Sequence, residues 1–173
     1  MPTGSEETRL IVLRGNSASG KSTVAQAVRG RYGYGLAVVA QDNIRRTVLR
    51  EKDVPGGVNI GLIDHVARYA LDSSYHVVVE GIMHAERYAP MLERLCDDHR
   101  GLSRCYYFDL RFDETLRRHA GRPLAAEVDE EQMREWYRPG DLLPGEREQV
   151  IAADATEAET VARIMADAGW DTR

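Results

Sequence analysis

Lysine is nearly absent: Lys21 and Lys52 are the only two among 23 basic residues, and the rest are arginine. Those 23 face 28 acidic residues, for a formal net charge of −5. That balance argues against a nonspecific nucleic-acid binder, which needs a basic face. Cysteine is scarce as well. Cys96 and Cys105 fit no CxxC pattern, and a single pair cannot build a disulfide framework. Both are expected as small apolar residues in a reducing cytosol. The five histidines show no metal-ligand spacing; His84-Ala85-Glu86 has the H-x-E form of zinc deaminases, but no PCxxC follows it. No apolar run approaches the roughly 18 residues of a membrane span, and no charged-then-apolar leader opens the chain. A cytoplasmic location away from membranes is therefore expected. What is present is an ordinary globular mixture, 43% hydrophobic and 29% charged over 173 residues. That length suits one compact domain able to bury a core.

Residues 1–8 are small, polar and charged, and read as a flexible tail before a single domain over 9–173. Short continuous apolar runs at Leu10–Leu13, Leu36–Ala40, His76–Val79, Cys105–Phe108 and Val150–Ala152 suit strands buried on both faces. Helical spacing separates them: Ile60, Ile63, Ala67, Ala70 and Leu71 share one face, as do Tyr88, Leu92, Leu95 and Cys96, and later Val161, Met165 and Ala168. Strand and helix thus alternate about five times, which predicts an α/β fold with a parallel sheet covered on both faces. The least regular stretch, 122–148, holds Pro123, Pro139, Gly140, Pro144 and Gly145. It is too long for a plain connection and is expected to be a mobile lid.

The segment Gly15-Asn16-Ser17-Ala18-Ser19-Gly20-Lys21-Ser22 matches G-x-x-x-x-G-K-[ST] in full, with a strand before it and a helix from Thr23 to Tyr32 after it. Glycines let the backbone curl so that successive N–H groups point inward at phosphate oxygens. The new helix adds the positive end of its dipole. Lys21 is placed to reach the β- and γ-phosphates of ATP, and the Ser22 hydroxyl to ligate Mg²⁺. Residues 15–23 are therefore the expected nucleotide site.

Three further positions bear on the fate of the γ-phosphate. Asp42 follows the second strand, in the zone outside strand carboxyl ends where ligands gather. It suits a base for an acceptor hydroxyl or an N-cap for a helix from Asn43. Glu80 ends Val77-Val78-Val79-Glu80 in the Walker B manner and would sit near Mg²⁺, with Asp109 after Tyr106-Tyr107-Phe108 as its rival. Arg117, Arg118 and Arg122 open the lid segment and could clamp the transferring phosphoryl group, or merely solvate a helix face.

With GNSASGKST, QDNIR, VVVEG and FDLRFDETLRRHAGR in place, residues 9–137 resemble the kinase domain of phage polynucleotide kinase and its relatives, the zeta toxins and chloramphenicol phosphotransferase. The resemblance implies an adenylate-kinase-like sheet of order 2-3-1-4-5 with Mg-ATP as donor. It implies that Asp42 is the general base, that Arg45 binds a substrate phosphate, that Arg118 and Arg122 are lid arginines, and that Glu80 is the acidic residue ending the third strand. Polynucleotide kinase has aspartate there; the EG pair is similar to uridine kinases.

The expected activity is ATP-dependent phosphorylation of a hydroxyl on a small molecule such as an antibiotic, nucleoside or sugar derivative. A 5′-hydroxyl polynucleotide kinase or zeta-type kinase is the related alternative. A nucleotide-hydrolysing switch is the distant one, but no NKxD or LSGGQ supports it, and Asp53-Val54-Pro55-Gly56 is a DxxG that follows no strand. From 122 to 150 stand eight acidic residues (Glu127, Asp129, Glu130, Glu131, Glu135, Asp141, Glu146 and Glu148) against Arg122, Arg134, Arg138 and Arg147. A lid of that sign favours a neutral or cationic acceptor over a nucleic-acid end, with Trp136 and Tyr137 as stacking surfaces.

Overall fold

The computed structural model describes residues 1–170; residues 171–173, which the sequence reading includes in the domain, lie outside the described residues. Five strands form one parallel sheet: β1 (Arg9–Gly15), β2 (Leu36–Ala40), β3 (His76–Gly81), β4 (Leu102–Phe108) and β5 (Glu148–Ile151). Their order is β2-β3-β1-β4-β5, as expected. β1 lies at the centre, and its apolar run is buried throughout. Leu10, Ile11, Val12 and Leu13 have no exposed surface. Successive side chains of a strand point to opposite faces, so Leu10 and Val12 join one core while Ile11 and Leu13 join the other.

The helices divide the same way. Ile63, Ala67 and Leu71 of α2 (Val58–Asp72) and Tyr88, Leu92 and Leu95 of α3 (Ala85–Asp98) pack with the first set. Val24, Ala25 and Val28 of α1 (Lys21–Tyr32) and Val161, Ile164 and Met165 of α6 (Glu157–Asp167) pack with the second. Cys105 lies in the first core and Cys96 beside it, both free, with their Sγ atoms 3.7 Å apart. The registers Ala40↔Glu80, Arg14↔Gly81, Gly15↔Phe108 and Phe108↔Ile151 bring the carboxyl ends of all five strands to one edge. The loops that could hold ligands leave from that edge.

The segment expected as a lid contains α4's exit, a 3-10 turn at Pro123–Ala126 and a short helix α5 (Glu130–Trp136), where α4 is Phe112–His119. Asp129 and Gln132 form a reciprocal capping box at the start of α5. Among the described residues no helix is long and apolar enough to cross a membrane.

Residues 1–8 are not a loose tail. Thr3 and Thr8 are buried, and Thr3 bridges His99 as a parallel pair. Asp72 Oδ1 accepts from the Thr3 hydroxyl at 2.8 Å and the Gly4 amide at 2.7 Å, while Thr8 Oγ1 meets His99 Nε2 at 2.9 Å. These contacts hold Asp72 below the usual carboxylate range, the Gly4 amide first among the causes. Hydrogen bonds secure this segment where it has no apolar residues to bury, which is why hydropathy misses it. Deleting residues 1–7 should cost about 2 kcal/mol, the worth of two or three such bonds, and lower the melting temperature by about 4–8 °C. An unchanged melt would mean the segment is ornamental.

Candidate active site

β1 runs directly into the phosphate loop, and α1 begins at Lys21 itself. Gly15 leaves the strand at φ 147°, where an added Cβ would stand 2.7 Å from Phe108 O. Ala18 and Gly20 adopt left-handed φ of 59° and 94°. These turns curl the backbone round a hollow, and no acidic residue occupies the first turn of α1 to quench its positive end. Lys21 is buried, its Nζ donating to Asn16 O at 2.8 Å and Ser19 Oγ at 3.0 Å. Burial pulls its pKa down to about 8, against the opposing influence of Glu80 and Asp42. Ser17 is half-buried, and Thr23 is exposed along a neighbouring cleft.

Glu80 ends β3, the strand beside β1, and is buried there. Its Oε1 accepts from the Ser22 hydroxyl at 3.0 Å. Burial raises its pKa, partly offset by Lys21 and by the Ser22 bond. Asp109 is exposed beyond β4, its amide bonded to Ile151 O. A hydroxyl and a carboxylate in contact, both hard oxygen donors beside the phosphate hollow, fit Mg²⁺, which takes a few protein oxygens and fills the rest with phosphate and water. Among the described residues no cluster of three or more His, Cys, Asp or Glu side chains could hold a metal on its own.

Asp42 does not cap a helix. It has helical dihedrals, makes no side-chain capping bond, and is followed by a π-helical segment at Asn43–Val48, closed by Leu49 N to Ile44 O at 3.0 Å. π-turns are uncommon and often mark functional sites. The exposed Asp42 carboxylate lies 3.3 Å from Arg45 Nη2 and 3.4 Å from Arg46 Nε. The charges of Asp42 and Arg122 both act on Lys21 and on Glu80. Lys21, Asp42, Glu80 and Arg122 are therefore close enough for their charges to act on one another.

Arg118 is placed elsewhere. Its Nε donates to Glu114 Oε1 at 2.7 Å and its Nη2 to Ala153 O at 3.2 Å. It lines a cleft of about 140 Å³ with Ser19, Gly20, Thr23, Phe108 and Ile151, at the ends of β4 and β5. On the other side of the loop lies a larger cleft of about 440 Å³, bordered by Asp42, Arg45, Arg46, His84, Arg87 and Trp136. Arg46 stacks 5.7 Å above the Trp136 ring. Tyr137 instead turns away, its hydroxyl donating to Leu110 O and its ring meeting Phe112.

The floor of this larger cleft is polar and was not visible in sequence. Gln41 crosses the end of β3, where a Cβ on Gly81 would lie 2.5 Å from Gln41 Oε1. It accepts from the Met83 amide at 3.1 Å and donates to the Tyr88 hydroxyl at 2.7 Å. That hydroxyl stands 2.7 Å from Asn59 Oδ1 and 2.8 Å from Asp53 Oδ1, and has one proton to give. Gln41, Tyr88 and Asn59 sit at helical or strand positions that read as ordinary. Only Gly81, a glycine just past an acidic strand end, hinted that something passes close by.

The fold and the phosphate loop are those of P-loop kinases. Residues 10–139 match the family model AAA_33, described as an AAA domain, and the chain belongs to that family. No curated protein is significantly similar in sequence. Among solved structures, the APS kinase of Mycobacterium tuberculosis in complex with AMPPNP and APS is similar at 19% identity and a TM-score of 0.71, covering 96% of this chain and 98% of that one. A gluconokinase from Sinorhizobium meliloti shares 19% identity at a TM-score of 0.62, over 96% and 92%. A sugar kinase from Janibacter shares 16% at 0.65, over 95% and 96%.

The buried Lys21 makes nucleotide affinity sensitive to pH. In the free protein it gives up its proton near pH 8, whereas the phosphates it would meet favour the charged form. Above that pH, binding must take up a proton, so affinity should fall by up to about tenfold per unit. Calorimetry in buffers of different ionisation enthalpy between pH 7.5 and 9.5 measures this. Lys21→Ala should abolish both the proton uptake and most of the affinity; pH-independent binding in the wild type would contradict the placement.

Proposed function

We propose that this chain is an ATP-dependent kinase that transfers the γ-phosphate to a hydroxyl of a small molecule. The observation that carries the reading is Asp42, an exposed carboxylate just past β2 that lines the 440 Å³ cleft. Its charge is felt by Lys21 and by Glu80. ATP lays its triphosphate along residues 15–23, with its base toward Arg118 in the 140 Å³ cleft. Ser22 and Glu80 would hold Mg²⁺, which would supply charge neutralisation to the phosphates. The Ser22–Glu80 contact favours Glu80 over Asp109 for this part.

The acceptor occupies the larger cleft. Asp42 takes the proton of its hydroxyl as that oxygen bonds to the γ-phosphorus, and the bond from the γ-phosphorus to the β–γ bridging oxygen breaks to release ADP. Lys21 and Arg122 neutralise the charge that spreads over the transferring group. Arg45 and Arg46 hold the Asp42 carboxylate in place through their paired contacts. The segment 122–148 covers the reaction, with Ala18 of the phosphate loop packed under Val128 and Met133.

The polynucleotide-kinase resemblance assigns the same base and the same Arg45. A nucleic-acid end, however, would need a basic track leading to the cleft, and the chain's charge of −5 offers no general attraction. A small acceptor suits a cleft of this volume.

Asp42→Asn keeps the size of the side chain and loses the basicity. Mg-ATP binding should survive while transfer falls about a hundredfold or more, the usual worth of a positioned base; transfer within threefold of wild type would remove Asp42 from this role. The two arginines should separate. Arg122→Ala should lower kcat by roughly a thousandfold, as for other phosphoryl-clamping arginines, with little change in ATP affinity. Arg118→Ala should instead raise the KM for ATP and leave kcat near normal, and the reverse pattern would exchange their roles.

A further inference from the structure

The larger cleft holds hydrogen-bonding capacity that the protein leaves unused. Among the described residues, three buried side-chain nitrogens lack a hydrogen-bond partner: Arg45 Nε, Arg87 Nε and His84 Nδ1. All three residues line this one cleft. They reach it from separate elements, Arg45 from the π-helical segment, His84 from the turn before α3 and Arg87 from the first turn of α3. A buried donor without a partner costs about 1–3 kcal/mol. Two guanidinium donors left so around one cleft are explained if a ligand completes them.

The remaining atoms of these side chains are already committed, which fixes where the open ones lie. Arg45 Nη1 donates to Glu51 O at 3.2 Å and Nη2 to Asp42. Arg87 Nη1 donates to Asp53 O at 2.8 Å and lies 3.3 Å from its carboxylate; its Nε has only the exposed Glu86 at 3.5 Å, outside hydrogen-bonding geometry. His84 Nε2 meets Trp136 O at 2.8 Å. A carbonyl can only accept, so Nε2 carries the proton and Nδ1 of the neutral ring is an acceptor. The open set is two cationic N–H donors and one acceptor suited to a hydroxyl.

Most of the acidity of the covering segment is committed away from this cleft. Of its eight acidic residues, Asp141 and Glu148 neutralise the buried Arg14, Glu130 pairs with Arg134, and Asp129 caps α5. Only Glu127 and Glu135 line the cleft. The other two carboxylates there, Asp42 and Asp53, are matched by Arg45, Arg46 and Arg87, while Lys52 and Arg138 add further positive charge to its wall. The premise for a neutral or cationic acceptor is therefore removed.

We propose that the acceptor is a small hydroxylated anion whose carboxylate, sulfate or phosphate group sits between Arg45 and Arg87. His84 accepts a hydroxyl of the same molecule, and the hydroxyl to be phosphorylated is turned toward Asp42. The polynucleotide-kinase resemblance supplies only Arg45; Arg87 and His84 come from the structure. The reaction rests on the kinase reading above, but the anion subsite can be tested without it.

Inorganic sulfate is the probe, titrated into the full chain with the phosphate loop filled by AMPPNP, while the Nε–H resonances of Arg45 and Arg87 are followed by NMR. Both should shift along a saturating curve. Arg87→Gln and Arg45→Gln, checked for folding by thermal melt, should each weaken that binding by about ten- to hundredfold, the worth of a charge-assisted hydrogen bond. AMPPNP affinity should not change in Arg87→Gln. A linear response in the wild type, or equal affinity in wild type and Arg87→Gln, overturns the subsite, and the wild-type titration decides even if a variant fails to fold. Saturating sulfate shifts without AMPPNP binding would uphold the subsite and sink the kinase reading; AMPPNP binding with silent Nε–H signals would do the opposite. In transfer assays, a sugar acid should outperform its sugar alcohol, or glycerol 3-phosphate should outperform glycerol, and the winning pair identifies the anion. Equal or better use of both neutral members would contradict the proposal.

Discussion

The buried guanidinium of Arg14 holds the frame of the site. It occupies the last position of β1 before the phosphate loop and has no exposed surface. Nε donates to Met83 O, Nη1 to both oxygens of Glu148 at 2.8 and 2.9 Å, and Nη2 to the carbonyl and carboxylate of Asp141. Asp141 also accepts from the Ala85 amide at the start of α3, and Glu148 from the Leu143 amide. One cation thus joins the central strand, the turn that carries His84, the end of the covering segment and the edge strand β5. Isolated in a core, such a charge would be prohibitive; paired on every donor it becomes a fixed hub. Removing one partner of a buried pair costs about 3–5 kcal/mol.

A second set of contacts ties the covering segment to the phosphate loop. Asn16 reads the backbone of Arg138 in both directions, Nδ2 donating to its carbonyl and Oδ1 accepting from its amide, each at 2.8 Å. Tyr107 supports the same turn, accepting from the Asp141 amide. At the other end His119 Nε2 donates to Val128 O at 2.7 Å. The loop therefore turns its amides inward for phosphate while its side chains grip the cover. The phosphate loop and the covering segment thus share hydrogen bonds at the turn of Arg138.

The sheet and the phosphate loop were legible because their causes are local. Continuous apolar runs can only be doubly buried strands in a chain of this kind, and the curl at Gly15, Ala18 and Gly20 follows from a contiguous motif. Asp42 stood out by its place just past β2, and Glu80 by closing an apolar run one residue before the end of β3. Arg14 did not: a charged residue ending an apolar run reads as the point where a strand surfaces, and the carboxylates it meets lie 127 and 134 residues away. Asn16 read only as part of the nucleotide loop, and His84 only as the start of an H-x-E with no PCxxC after it. The acidity of 122–148 misled in the opposite sense, since counting charges cannot say which of them are turned inward to meet Arg14. Arg118 and Arg122 stand one helical turn apart in sequence, yet Arg118 lies in α4 and lines the smaller cleft, while Arg122 lies beyond the helix among the charges that act on Lys21 and Glu80.

The claim on which the rest depends is that the γ-phosphate goes to a carbon-borne hydroxyl. Phosphorus NMR of Mg-ATP incubated with the protein and a panel of hydroxylated small molecules follows that phosphate directly. The account predicts a new phosphomonoester signal that grows in step with ADP in the presence of one class of acceptor. Rapid accumulation of inorganic phosphate instead, unaltered by any acceptor and by loss of the Asp42 carboxylate, would contradict it.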